Sequence, residues 1–354
     1  MVYLFLPILV IIAALLGSLA RGVHYDKISV FLIFLFIVLV SGTRYGVGVD
    51  YVNYENIFYN INGFYDSITL DINNIDGLEP GFLLINKIFG FSKYGFYGLI
   101  FFMSLVTLGL IHAAILKLPI KYQYLAYFIL ITHAFVFLMQ NQIRQAASIA
   151  IFIFSVRYIN NGCKRNFFGL NIVSAIIFHY SALAVLPLYA VRHISLTKIK
   201  MIIVLSFVLP VSIFGGFNHL LYEVVKSISI YNVYLSTSFS DVSQLSIINI
   251  ITVMYFFLLI YFFDRDSNEG KILFFGLVLS CVFSNFSLLE RLSSYFLYIK
   301  ILSIPMLIYG IRNSSNKYIV LISLLIYSIA MYANAIAINS GGNIPYLNLI
   351  EGVI

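Results

Sequence analysis

Four short stretches of this sequence combine ionisable side chains with glycine, amide or aromatic residues, and the first is SGTRYGVGVDYVNY at residues 41–54. Within it, Arg44 supplies a planar fork of donors that suits phosphate, and Gly46 and Gly48 permit turns that expose backbone N–H groups to an anion. The stretch therefore predicts an anion-binding site with Asp50 as a nearby carboxylate. The alternative is a belt of tyrosines at a membrane surface with one arginine reaching into the headgroups.

The second stretch, FLMQNQIRQAASIAIF at residues 137–152, places Gln140, Arg144 and Ser148 on one face of a helix, with Gln145 beside them. An arginine inside a membrane helix costs free energy and is by default a functional residue. Arg144 is therefore a second candidate ligand for phosphate. The alternative is an arginine at a helix end that reaches toward lipid phosphates.

The third stretch, IIFHYSALAVLP, contains His179 between apolar residues. A neutral imidazole at this place is a candidate base, or a donor to an oxyanion. The alternative is a histidine that packs in the interior with its hydrogen bonds satisfied.

The fourth stretch, FSLLERLSSYFLYIK, places Glu290 beside Arg291, with Tyr295 about one turn further along the helix. Arg291 is either a third phosphate ligand or the partner of Glu290 in a structural ion pair.

The composition places these stretches in a membrane protein. Of the 354 residues, 61% are hydrophobic and 10% are charged, and the mean hydropathy is +0.98, whereas a soluble domain has roughly 25% charged residues. Apolar runs of about 20 residues, the length that crosses a bilayer, recur along the chain. The sequence therefore predicts an all-α polytopic membrane protein that forms one integral membrane domain over residues 1–354.

Charge and cysteine content exclude other classes. The net charge of +7 lies mostly in short loops, as the positive-inside rule expects, so we predict no nucleic-acid partner. The two cysteines, Cys163 and Cys281, are far apart in sequence and predict neither a disulfide framework nor a metal site. We expect no cofactor.

The segment at residues 166–190 decides the predicted topology. With the basic loops on the cytoplasmic side, the amino terminus lies outside. Read as one helix, 166–190 would carry the basic residues that follow it to the outer side. Read as two short helices or a re-entrant hairpin with its apex near His179, it returns the chain to the inner side. We predict the hairpin and about 10–12 crossings, an arrangement that puts Arg44, Arg144 and Arg291 on one outer face. The spans are predicted near residues 2–20, 28–42, 95–116, 121–139, 143–159, 199–217, 246–263, 271–288, 290–310 and 317–338.

The loop at residues 43–94 is acidic and polar, and we predict that it lies outside. Within it, GLEPGFLLINKIFGFSKYG predicts an amphipathic or re-entrant helix near residues 79–92. Glu79 is either catalytic or caps this helix beside Pro80, and we interpret it as a cap. The loop also carries Asp66, Asp71 and Asp76, whose carboxylates either bind hydroxyl groups or are simply solvated.

These motifs together resemble those of the EpsG-type polysaccharide polymerases, which are relatives of the Wzy O-antigen and capsule polymerases. The resemblance rests on RYGVGVDYVNYENIF, EPGFLLINKIF, QNQIRQAASIAIFIFS, FHYSALAVLPLY and ERLSSYF. The order and spacing of these motifs match the family over most of the chain.

The resemblance implies a glycosyltransferase-like bundle in the bacterial inner membrane that joins oligosaccharide repeat units carried on undecaprenyl pyrophosphate at the periplasmic face. Donor and acceptor are then both lipid-linked glycans, and the implied partners are membrane lipid, a chain-length regulator and a flippase. A pyrophosphate leaving group needs cations where charge develops, and Arg44, Arg144 and Arg291 are the candidates. The acceptor hydroxyl needs a base, for which the candidates are Asp50 and His179. The supporting residues predicted around them are Tyr45, Gly46, Gly48, Tyr51, Gln145, Glu290 and Tyr295.

Two other functions stay open for such a chain. A lipid-linked oligosaccharide flippase or transporter suits the number of spans, although it should show repeat symmetry between its halves, and no internal repeat is visible. An O-antigen ligase-like transferase shares the donor and the chemistry and differs in the acceptor.

Overall fold

The computed structural model describes residues 2–19, 23–63, 77–227, 247–264, 266–284, 287–339 and 341–353. In these ranges the regular elements are helices, apart from an isolated antiparallel bridge between Arg44 and Asn348. The prediction of an all-α chain is confirmed. The three loop acids at positions 66, 71 and 76 lie outside the described residues.

The helices follow the predicted apolar runs closely. Their bounds are α1 Val2–Leu19, α2 Val23–Gly42, α3 Tyr51–Asn62, α4 Pro80–Phe89, α5 Gly95–Ile115, α6 Ile120–Thr132, α7 Phe135–Asn141, α8 Ile143–Asn160, α9 Lys164–Ile177, the 3₁₀ helix η1 Tyr180–His193, α10 Lys198–Ile213, α11 Asn218–Ser227, α12 Ile247–Phe263, α13 Asn268–Phe283, α14 Ser287–Leu297, α15 Lys300–Gly310, α16 Ser314–Ile338 and α17 Leu349–Val353.

Four segments within the described ranges are long and apolar enough to cross a membrane, and a bent pair of helices makes a fifth. The four are Tyr25–Gly42, Gly95–Ile115, Leu289–Gly310 and Ser314–Ile338. The chain is therefore a polytopic membrane protein, as predicted. Other predicted spans coincide with shorter apolar helices, and the total of ten to twelve crossings stays a prediction.

The outer surface of α16 shows why these helices need lipid. Ile319, Ile322, Ile326 and Ile329 follow one another at intervals of three or four residues, and each is more than half exposed. A continuous exposed stripe of isoleucines is unfavourable in water, whereas it matches the hydrocarbon of a bilayer.

The predicted span at 121–139 is not one straight helix. It is divided into α6 and α7, whose axes differ by 52°. The break falls at His133 and Ala134, and Ala134 has the left-handed conformation with a φ of 61°. The ring of His133 is hydrogen-bonded at 2.9 Å to the hydroxyl of Ser328 on α16, so a tertiary contact holds the chain at the bend.

The segment at 166–190 forms the predicted hairpin. Helix α9 ends at Ile177, where the carbonyl of Ser174 accepts from the N–H groups of both Phe178 and His179. The 3₁₀ helix η1 then begins at Tyr180. Near the end of η1, the hydroxyl of Tyr189 donates to the carbonyl of Gly162 at 2.8 Å. Because Gly162 lies just before α9, this bond brings the end of η1 close to the start of α9, and the turn between the two helices lies at His179.

The described contacts divide the chain into two compact units. Unit 1 comprises Met1–Tyr158, Lys164–Leu183 and Leu321–Ile354, and unit 2 comprises Ile159–Cys163 and Ala184–Val320. In unit 2, α13 packs against α10, α12, α14 and α15.

An apolar cluster in unit 1 positions the candidate site. It joins the buried faces of α3, α4, α5 and α8 to the end of α9, and its members recur at helical spacing within each helix. On α3, for example, these members are Tyr51, Tyr54 and Phe58. The cluster holds the start of α4 against the start of α8, which is where charged side chains enter the interior.

Candidate functional site

The carboxylate of Glu79 lies at the centre of a buried cluster of polar groups in unit 1. Its Oε1 atom accepts from the backbone N–H of Tyr180 at 3.1 Å and lies 2.8 Å from Nδ1 of His179. Its Oε2 atom accepts from Nη1 of Arg144. The Glu79 side chain is only 1% exposed, whereas those of Arg144 and His179 are 21% and 32% exposed. The two partners of the carboxylate are therefore partly exposed, while the carboxylate itself is enclosed.

The interpretation of Glu79 as a cap of its own helix is wrong. Glu79 occupies the N-cap position of α4, but its side chain makes no capping hydrogen bond to that helix. The carboxylate instead accepts from the N–H of Tyr180, which is the first residue of η1. A helix start presents unpaired N–H groups and a partial positive charge, so Glu79 satisfies the start of a helix that is distant in sequence.

Gly81 lets Glu79 reach the hairpin turn. A Cβ atom at this position would lie 2.4 Å from the Cα atom of Ile177 and 2.8 Å from its Cβ atom. Only a residue without a side chain permits this approach of α4 to the end of α9. The close packing places Glu79 beside His179, which is two residues beyond Ile177.

Arg144 enters the site from the first turn of α8. The backbone is not helical at Gln142, with a φ of −103° and a ψ of 62°, so α7 ends just before α8 begins. The predicted continuous stripe from Gln140 to Ser148 is therefore wrong, because Gln140 belongs to a different helix from Arg144. The guanidinium lies 5.5 Å from the centre of the Phe82 ring and interacts electrostatically with the hydroxyl of Tyr54.

The electrostatics of the cluster determine which proton each group holds. Burial raises the pKa of the Glu79 carboxyl. The hydrogen bond from His179 and the charge of Arg144 lower it by a larger amount, so the net pKa lies below its ordinary value. Glu79 is therefore a carboxylate at neutral pH and accepts a hydrogen bond from Nδ1–H of His179. In a neutral imidazole whose Nδ1 atom donates, the Nε2 atom is an acceptor. The arrangement can act as a general base at Nε2, with the carboxylate orienting the ring.

Arg44 forms no hydrogen bond with Glu79 within the described residues and is enclosed by protein. Its exposed fraction is 1%, and its two terminal nitrogens donate at 2.9 Å to the carbonyls of Ser41 and Gln140. Burial lowers the pKa of the guanidinium to about 10, so it stays charged at neutral pH. These contacts join the end of α2 to the end of α7. In this conformation each terminal nitrogen donates to a backbone carbonyl, and the role of Arg44 as a pyrophosphate ligand stays a prediction.

The two predicted glycines form a turn around Arg44. Gly46 and Gly48 have φ values of +63° and +102°, which residues with side chains rarely adopt. The N–H of Gly48 donates to the carbonyl of Gly342 at 3.1 Å, and a Cβ atom on Gly48 would lie 3.0 Å from the carbonyl oxygen of Gln140. The turn of residues 46–49 therefore binds the C-terminal segment of the chain, and the N–H of Gly48 is not offered to an anion.

The remaining predicted site residues of unit 1 lie around α3 and α8. Asp50 immediately precedes α3, and its carbonyl accepts from the N–H of Tyr54. The ring of Tyr45 is 6.3 Å from that of Tyr51. Gln145 is buried and follows Arg144 on α8. The catalytic role of Asp50 and the supporting roles of Tyr45, Tyr51 and Gln145 stay predictions.

The other three predicted residues belong to unit 2. Glu290, Arg291 and Tyr295 lie on α14, where Tyr295 is fully buried and Glu290 is exposed. The role of Arg291 as a pyrophosphate ligand stays a prediction.

The role of Glu79 is the main feature that the sequence interpretation missed. It is separated from Arg144 by 65 residues and from His179 by 100. The signal available in the sequence was a carboxylate next to an apolar helix in the stretch LEPGF, and the adjacent proline favoured the capping interpretation. Across the described ranges, His, Cys, Asp and Glu side chains form no cluster of three that could hold a metal ion.

Comparison with known proteins gives one match. The family model described as the EpsG family matches residues 27–348, a region that includes Glu79, Arg144 and His179. No curated protein and no solved structure matches the chain.

Proposed function

Because the chain belongs to the EpsG family, the family of Wzy-like polysaccharide polymerases, we propose that it is a glycosyltransferase that joins lipid-linked oligosaccharide repeat units into a polysaccharide. The donor in this proposal is a glycan on undecaprenyl pyrophosphate, and the acceptor is a sugar hydroxyl of a second lipid-linked unit. We place the reaction at the outer face of the bacterial inner membrane.

The proposed reaction exchanges one bond at the anomeric carbon of the donor. The bond from this carbon to the pyrophosphate oxygen breaks, and a bond to the acceptor hydroxyl oxygen forms. The hydroxyl proton passes to Nε2 of His179, and undecaprenyl pyrophosphate leaves with the bonding electron pair. The reaction needs no oxidant or reductant and no further co-substrate.

The observation that carries this proposal is the hydrogen bond between Glu79 and His179. A carboxylate that accepts from Nδ1 holds the imidazole in the tautomer that can accept a proton at Nε2, and it stabilises the imidazolium that forms. This supports His179 over Asp50 as the general base. Such a base contributes about 10²- to 10⁴-fold to a rate.

Arg144 supplies the positive charge of the proposed site. Its contact with Glu79 holds the guanidinium at the start of α8, and 21% of its side chain is exposed. We propose that this exposed part binds the departing pyrophosphate, because a preorganised cation stabilises the negative charge that develops there.

Complementation tests the function. The native strain with this gene deleted is supplied with wild-type protein, and the surface glycan is read as a ladder of chain lengths. Loss of a polymerase leaves single repeat units on the acceptor, loss of a ligase leaves none there, and loss of a flippase traps the units inside the cell. The polymerase proposal requires the deletion to leave single units and the wild-type gene to restore the ladder.

Two pairs of variants test the assignment of residues. Glu79→Gln and His179→Gln should each leave only single units while the protein still reaches the membrane. The matched controls are Glu55→Gln, whose carboxylate accepts from Tyr59, and His193→Gln, which is exposed on η1. A full ladder from His179→Gln would exclude His179 as the base and leave the family-based function standing.

A further inference from the structure

An apolar groove in unit 1 lies between α1, α6 and α16 and ends at a lysine. It has a volume of about 330 Å³, and its walls include Ala14 and Leu15 of α1, Phe128 of α6 and Leu325 of α16. Lys121 lies at the end formed by the first turn of α6. This cavity is called the Lys121 groove below.

The polar end of the groove carries an available positive charge. Lys121 is exposed, and its Nζ atom lies 5.5 Å from the centre of the Tyr122 ring. Tyr124, which also lines the groove, donates its hydroxyl to the carboxylate of Asp26 at 3.0 Å. The end of the groove therefore offers one cation for a phosphate.

The shape of the groove suits a hydrocarbon chain. From Lys121 to Phe128, α6 advances by seven residues, or about 10 Å, and the walls beyond Tyr124 are formed by apolar side chains. One end is thus charged and the rest is apolar, which is the division found in a phospholipid. The exposed isoleucines of α16 show that this helix already faces lipid.

We propose that the Lys121 groove is a binding site for an anionic phospholipid. One acyl chain lies along α1, α6 and α16, and the headgroup phosphate pairs with the ammonium of Lys121. If the basic loops face the cytoplasm as predicted, the site lies in a leaflet whose anionic lipids attract lysines near its surface.

A second groove nearby provides an internal comparison. It lies between α1 and α2 and has a volume of about 460 Å³, and the polar residue in its wall is Ser29. It offers space for a chain without a charge for a headgroup. We therefore expect it to accept lipids without regard to headgroup charge.

Native mass spectrometry of the purified full-length protein tests the site. The protein is mixed with equal amounts of phosphatidylglycerol and phosphatidylcholine that carry the same acyl chains, and the ratio of bound lipids is measured. Lys121→Gln should lower the preference for phosphatidylglycerol by about fivefold, the effect expected from one lysine near an anionic surface. Lys121→Arg should keep the preference. The matched control is Lys117→Gln, which removes an exposed lysine four residues away and should leave the ratio unchanged.

A third variant tests the apolar part of the groove. Ala14→Phe fills the groove and leaves Lys121 in place, so it should reduce the number of bound phosphatidylglycerol molecules. An unchanged preference in Lys121→Gln, or equal losses in Lys121→Gln and Lys117→Gln, would overturn the proposal. A stronger preference for undecaprenyl phosphate than for phosphatidylglycerol at this groove would also overturn it, because the occupant would then be the isoprenoid carrier.

Discussion

Replacing Glu79 with glutamine distinguishes the effect of its negative charge on His179 from the effect of its side-chain volume on packing. The two side chains have nearly the same shape, so the packing of α4 against the end of α9 should persist. The change removes the charge that pairs with Arg144 and replaces one of the two carboxylate oxygens, both of which are acceptors, by an NH2 donor. A glutamine amide can also donate to Nδ1, which favours the tautomer with the proton on Nε2. His179 then has no free acceptor for the proton of the sugar hydroxyl.

The expected magnitudes follow from the burial of the two partners. Removing one partner of a fully buried ion pair costs about 3–5 kcal/mol. Since the Arg144 side chain is 21% exposed, water offsets part of this loss, and we expect the free energy of unfolding to fall by about 1–3 kcal/mol. The rate of polymerisation should fall by about 10²- to 10⁴-fold, which is the range for a general base.

Two measurements separate these effects. The glycan ladder of the complemented deletion strain reports polymerisation, and the midpoint of thermal unfolding in detergent reports stability. We expect Glu79→Gln to leave single repeat units and to lower the midpoint, while Glu55→Gln changes neither. A variant that unfolds at a lower temperature but still makes a full ladder would refute the catalytic role of the Glu79–His179 pair and leave Glu79 with a structural role alone.

Three further predictions follow from the same contacts. The pKa of Glu79 is lowered in the folded protein, so its stabilising effect is complete above the ordinary value of 4.5 and is lost as the pH falls through the folded pKa. The difference in unfolding midpoint between wild type and Glu79→Gln should therefore shrink below about pH 4.5. A difference that stays constant with pH would contradict the assigned charge of Glu79. Gly81→Ala should push α4 away from Ile177, lower the free energy of unfolding by about 1–3 kcal/mol and abolish the glycan ladder. The control Gly169→Ala should be tolerated, because the space around Gly169 on α9 is open. A normal ladder from Gly81→Ala would contradict the need for close approach. Arg44→Met leaves two carbonyls without their donor, which lowers the free energy of unfolding by about 1–3 kcal/mol for each carbonyl. The amount of protein in the membrane should therefore fall. Wild-type amounts of protein together with a lost glycan ladder would instead favour a ligand role for Arg44.

Much of the fold could be predicted because the signals are local. The apolar runs lie within a few residues of the observed helices, since a segment in a bilayer must satisfy its backbone polar groups internally. The turn near His179 was also predictable, because the basic residues after it restrict how often the segment crosses. The bend between α6 and α7 was not, because Ala134 has no sequence feature that marks a left-handed conformation.

The candidate site was predicted in part. Arg144 and His179 were recognised as ionisable residues in apolar surroundings, and they lie in one cluster. Arg44 carried the same signal, and the structure shows it enclosed and bonded to two carbonyls. Sequence composition could not predict these backbone contacts, because they join segments that are distant in sequence. The Gly-x-Gly turn has the expected positive φ angles, but its contacts are with the C-terminal segment.

The sequence alone determines that this chain is helical, lies in a membrane and carries the motifs of its family, because hydropathy and short motifs depend on neighbouring residues. The tertiary structure decides which ionisable residues meet. Glu79 reaches Arg144 and His179 across 65 and 100 residues only because Gly81 allows α4 to touch the end of α9. The same carboxylate would be an ordinary helix cap if that contact were absent, so its role follows from the packing of distant segments and not from the sequence around it.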